Sequence, residues 1–168
     1  MDIERAKRLL KEHNMKNKRF SNVAFSLYDK SYFFTNENID GHLKLVDFEG
    51  KSSALSVLAS GDQTFNLICK GIKNVDTFDI NRLTEYFALG LKRAMILKYN
   101  YTDFLLNMKY LCSDGASIDY ITDTIKDLFP YMEEKHRKFW QEILDYNYKM
   151  QKGFILGLNL IQMLTVNF

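Results

Sequence analysis

The stretch from Ala54 to Asn81 constrains this chain more than any other. A short apolar run, Ala54–Ala59, stops at Ser60-Gly61, and a helical pattern with Phe65, Ile68 and Cys69 starts at Asp62. Gly71 is placed to end that helix, and a second apolar run, Val75–Asp79, closes on an acid. The order strand, tight turn, helix, strand predicts a parallel pair, because a crossover helix returns the chain to the same end of the sheet. Apolar runs bounded by turn residues suit strands buried on both faces. Gly61 has no Cβ, so it permits a sharp reversal and a close approach of ligand to backbone.

Asp79 follows Gly61 by 18 positions, near the roughly 20-residue interval at which a second-strand carboxylate meets ribose hydroxyls in nucleotide-binding units. The carboxyl ends of both strands share one rim, so the turn and the acid converge on one crevice. A carboxylate accepts two hydroxyl hydrogen bonds and repels a phosphate, which implies an adenosine-type ligand with a free diol. The same residues also suit a ligand-free protein, with Gly61 an ordinary turn glycine and Asp79 the cap of the next helix.

Val57-Leu58-Ala59-Ser60-Gly61-Asp62-Gln63 and Phe78-Asp79-Ile80-Asn81 resemble the signature of the betaine-lipid synthase-like family. That family is related to S-adenosylmethionine:diacylglycerol 3-amino-3-carboxypropyltransferase, within the class I S-adenosylmethionine-dependent transferases. Thr35-Asn36-Glu37-Asn38 upstream and Tyr101-Thr102-Asp103-Phe104 downstream resemble further family elements, so the likeness spans roughly residues 25 to 150. It implies S-adenosylmethionine as cofactor. Ala59, Ser60, Gly61 and Asp62 would pass along it, and Asp79, with Ile80 and Asn81, would hold the ribose. Asp103 would read the adenine amino group with Phe104 against the ring, unless Asp103 only caps its helix. Thr35 and Asn36 would bond the amino-acid end, or serve as turn and cap residues. The reaction implied is transfer of a 3-amino-3-carboxypropyl or methyl group to a small-molecule or lipid acceptor. No general base is assigned. Gly61 stands alone where most class I methyltransferases carry several glycines, and a pyrophosphate-binding Gly-x-Gly-x-x-Gly turn is absent.

A length of 168 residues with 46% apolar content suits a single domain with a real core. Net charge of +2 lacks the basic excess of a nucleic-acid binder. Cys69 and Cys112 have no CxxC spacing and read as buried free thiols in a reducing cytosol. No metal-ligand spacing and no Ser/His/Asp set occurs. The charged start has no apolar signal segment, and the Phe154–Phe168 run is too short to span a bilayer, so a cytoplasmic protein is expected.

Met1–Arg19 carries a local excess of four positive charges, with Ile3, Ala6 and Leu10 on one face. It reads as a helix docked on the domain or as an anchor on an anionic membrane surface. Phe20–Phe34 is dense in aromatics and reads as a lid. After Asn81, a good N-cap, Leu83, Tyr86, Phe87, Gly90, Leu91, Ala94 and Met95 form a buried helical stripe, with Gly90 explained by close approach to the sheet. Ile118–Leu128 reads as a helix halted by Phe129-Pro130, and Met132–Tyr148 as a charged helix with Phe139, Trp140, Ile143 and Leu144 inward and His136 at the surface. The expectation is α/β: a Rossmann-like parallel sheet, incomplete, with an N-terminal helix and lid (1–50), a nucleotide-binding core (51–110) and a C-terminal helical section (111–168). Too few residues follow Tyr148 for the remaining strands, so a truncated transferase is expected, or an inert interaction module that keeps the cofactor half.

Overall fold

The computed structural model describes residues 2–8, 31–32, 34–35, 37–112, 117–151 and 165–166. A helix over residues 2–8 (α1) precedes β1 (Ser31–Tyr32), α2 (Ile39–Lys44), β2 (Ser53–Val57), α3 (Asp62–Cys69) and β3 (Asn74–Phe78). A continuous helical run follows: α4 (Leu83–Glu85), a π-helical segment (Tyr86–Lys92) and α5 (Arg93–Lys98). Then come α6 (Tyr101–Cys112), α7 (Ile118–Asp127), a 3-10 turn (Phe129–Tyr131), α8 (Glu134–Gln151) and β4 (Thr165–Val166). The fold is mixed α/β and mostly helical, with two separate two-stranded parallel pairs, β1 with β4 and β2 with β3, among the described residues.

The strand, turn, helix, strand order is realised as β2–α3–β3, in register from Ser53 opposite Asn74 to Val57 opposite Phe78. Gly61 takes a left-handed φ of 80° ahead of α3, and Gly71 a φ of 93° after it, conformations that cost a side-chain-bearing residue roughly 1–2 kcal/mol. One expectation about the sheet is corrected. The strands are not buried on both faces: Leu55 is 71% exposed, and Phe78, opposite Val57, is 54% exposed. In a strand pair alternate residues share a face, and the face bearing Leu55, Val57 and Phe78 is left open while the Ser56 side is covered. Only Tyr99 and Asn100 separate α5 from α6, so the helical run continues without an intervening strand.

The core lies among the helices rather than around the sheet. The expected stripe of Leu83, Tyr86, Phe87, Gly90, Leu91, Ala94 and Met95 is buried throughout, against Ile121, Ile125 and Leu128 of the α7 region and Phe139, Trp140, Ile143 and Leu144 of α8. Each such large side chain contributes roughly 1.5–3 kcal/mol by leaving water. Ala6 of α1 is fully buried in the same cluster and Ile3 packs on it, which agrees with a docked helix. Leu10 and most of the Phe20–Phe34 lid lie outside the described residues. Cys69 is exposed at the end of α3, which corrects the buried-thiol reading for that residue. No helix among the described residues is long and apolar enough to cross a membrane.

Candidate functional site

The turn between β2 and α3 and the end of β3 meet at one rim. Phe78 is the last residue of β3, and its carbonyl accepts the Leu58 N–H at 2.9 Å. One residue on, the Asp79 carboxylate accepts from the Ala59 N–H at 2.9 Å with one oxygen and from the Asn81 N–H at 2.8 Å with the other. The acid therefore staples the two strand ends together. A carboxylate has about four lone-pair sites, so two remain for further donors. Beside it Asn81 is buried; its side-chain oxygen accepts from the Leu83 N–H at 3.0 Å, and its Nδ2 has no partner among the described residues. Asp79 is partly exposed and can take paired hydroxyl donors, whereas the Asn81 Nδ2 is sealed inside the protein. Ile80 projects between them, 79% exposed.

The turn itself is strained and tightly held. Ala59 has a positive φ of 42°, unusual for a residue with a Cβ. Ser60 is buried, and its hydroxyl donates to Asp62 Oδ2 at 2.6 Å, which also accepts the Thr35 N–H at 2.9 Å. Asp62 Oδ1 pairs with Lys92 Nζ at 2.5 Å, and the same ammonium donates to the Ser60 carbonyl at 3.1 Å. Lys92 comes from the end of the π-helical segment, is 8% exposed in its side chain, and lies 4.8 Å from the Phe34 ring centroid. Gly61 does not form a bare floor: a Cβ there would lie 2.8 Å from Phe65 Cε2 and 2.9 Å from Ala88 Cβ. Its missing side chain makes room for the π-helical segment, not only for a ligand.

Thr35, Ala59, Ser60, Gly61, Asp62, Asp79, Ile80 and Asn81 are thus brought together through these contacts and the chain itself, whereas Asn36 lies outside the described residues. Asp103 and Phe104 stand apart on α6. Asp103 accepts from Asn100 Nδ2 at 2.7 Å while its own N–H donates to Asn100 Oδ1 at 2.9 Å, a helix-start arrangement, and Phe104 packs on the helical core. Thr35 engages Asp62 through its backbone, and its hydroxyl accepts the Glu37 N–H at 3.1 Å.

Two residues escaped sequence reasoning. Lys92 carried no local signal, because nothing in the sequence marks a π-helical register. His136, expected at the surface, is 2% exposed: its Nε2 lies 3.2 Å from Glu85 Oε1, which also accepts from Lys135 Nζ at 2.6 Å. Burial pushes the Glu85 carboxyl up, but Lys135 and His136 outweigh it and hold it below the usual range. The signal for His136 was its place three, four and seven residues before Phe139, Trp140 and Ile143. Gly90 faces this histidine rather than the sheet, since a Cβ there would meet His136 Cβ at 3.1 Å and Trp140 Nε1 at 3.4 Å.

A groove of about 630 Å³ runs along the edge of β2 that β3 leaves open, between Leu43 and Val46 on one side and Leu55 and Val57 on the other. Asp79 is not among its walls, although Gln63, in the first turn of α3, is. No cluster of metal-ligating side chains occurs among the described residues. No family model, no curated protein and no solved structure matches the chain.

Proposed function

We propose that the rim formed by Ala59–Asp62 and Asp79–Asn81 binds S-adenosylmethionine, and that the chain is a Rossmann-like transferase moving a 3-amino-3-carboxypropyl or methyl group to a small-molecule or lipid acceptor. One observation carries this reading: the acid closing β3 reaches the turn after β2, with Asp79 2.9 Å from the Ala59 nitrogen. In this reading the free lone pairs of Asp79 accept the ribose diol. The Lys92–Asp62 pair fixes the turn, so the Ala59–Ser60 backbone needs no rearrangement on binding. When bound, the cofactor supplies a sulfonium-activated carbon as the electrophile.

Isothermal titration of S-adenosylmethionine into wild type and Asp79→Asn tests the reading. Asn keeps the shape but loses one acceptor oxygen, so binding weakens about tenfold or more while the thermal unfolding curve stays two-state. No heat with the wild type ends the cofactor claim. A second reading, an inert interaction module, is favoured by the groove beside the β2 edge that no other described strand pairs with, because such an edge accepts an added strand. In that case the wild type gives no heat with the cofactor and Asp79→Asn changes only stability.

A further inference from the structure

The π-helical segment Tyr86–Lys92 touches two unconnected parts of the molecule with alternating residues. Towards α8, the Tyr86 carbonyl accepts from the Trp140 indole at 3.0 Å, and Gly90 lies under His136 and Trp140. Towards the β2–α3 turn, Ala88 sits against Gly61, and Lys92 grips Asp62 and the Ser60 carbonyl. π-Helix is rare, occurs mostly as single turns inserted in α-helices, and is frequent at functional sites. Here α4 before it and α5 after it are ordinary α-helix. Tightening to the α register removes one residue from the turn, which rotates everything downstream by about 100° relative to Tyr86, at 3.6 residues per turn. Lys92 would leave Asp62, and the preceding residue, Leu91, would take its place.

We propose that Tyr86–Lys92 is a register switch coupling the turn to α8. The Trp140 latch and the Lys92–Asp62 pair each select the π register, so loss of either loosens the other. By linkage the coupling is reciprocal: whatever tightens the turn also tightens the Trp140 contact.

Trp140 is the only tryptophan in the chain, so its indole N–H gives a single, assignable reporter. Its hydrogen exchange is measured by NMR in the full chain, in wild type, Asp62→Asn, Lys92→Met and Asp127→Asn. The last variant removes the ion pair of Lys98 with Asp127, which lies on α5 and α7 outside the switch. Asp62→Asn and Lys92→Met are expected to speed indole exchange about tenfold, and Asp127→Asn to leave it within twofold of wild type. Wild-type exchange in both turn variants overturns the proposal, as does equal acceleration by Asp127→Asn. Should a turn variant fail to fold, Trp140→Phe read at the Gly61 amide gives the same test in reverse: acceleration there supports the switch, and wild-type protection overturns it.

Discussion

Replacing Gly61 by alanine tests how the turn is built. The φ of 80° places an L-residue in the left-handed region, which costs roughly 1–2 kcal/mol. The new methyl would also stand 2.8 Å from Phe65 Cε2 and 2.9 Å from Ala88 Cβ. The phenyl edge is the far end of a rotatable side chain and can swing. Ala88 cannot, because its helix is pinned by Trp140 on one side and by Lys92 on the other. Overpacking of this kind costs typically about 1–3 kcal/mol, so the two effects together reach about 3 kcal/mol. With a urea m-value of about 2 kcal/mol/M, the midpoint of unfolding falls by about 1.5 M. Urea titration of Gly61→Ala in the wild type and in an Ala88→Gly background separates the parts. In the second background only the left-handed cost, roughly 1–2 kcal/mol, remains. A loss below about 0.5 kcal/mol in the wild type would refute the reasoning outright, and an equal loss in both backgrounds would refute the contact with Ala88.

Burial, with Asp2 nearby, pushes the Tyr86 phenol up to about 12, and its hydroxyl donates to Asp2 at 3.2 Å. A raised folded pKa means that the stabilisation is complete below the unfolded value near 10 and is lost as pH climbs from there towards 12. Wild type therefore loses stability over that window and Tyr86→Phe loses less, read by thermal melts between pH 9 and 11; parallel curves would count against it. Cys69 is exposed, so a thiol reagent labels it in the native protein, and Cys69→Ser abolishes that fast-reacting thiol. Slow labelling of the native wild type would contradict its placement.

The helix stripes were legible because burial on a helix follows a period the sequence writes out: Leu83 to Met95 read correctly even though part of that run is π-helical. The β2–α3–β3 unit was legible from Gly61, Gly71 and the two apolar runs. His136 was not, because Lys135, Arg137 and Lys138 around it set the local impression of a solvated face, whereas burial follows the positions three and four away. The open face of the sheet was misread for a related reason. An apolar run states what a strand can bury, not what is present to cover it, and Leu55 and Phe78 remain in solvent. Lys92 was hidden at a different level: a lysine within an apolar stripe normally carries its charge outward, and only a widened helical turn sends this one to Asp62.

A parallel pair of two five-residue strands has little stability of its own, and one face of β2–β3 carries exposed apolar side chains. What holds the unit against the bundle is concentrated at its carboxyl end: Gly61 against Ala88, Lys92 on Asp62 and the Ser60 carbonyl, and Asn81 leading into buried Leu83. The residues that the proposed cofactor would touch are therefore the residues that fasten sheet to helices. A ligand that orders this rim stabilises the junction on which the unit depends, so binding and folding of β2–α3–β3 share one set of contacts. The strain at Ala59 and the π-helical register then have a common physical basis, since both persist only while that junction is intact.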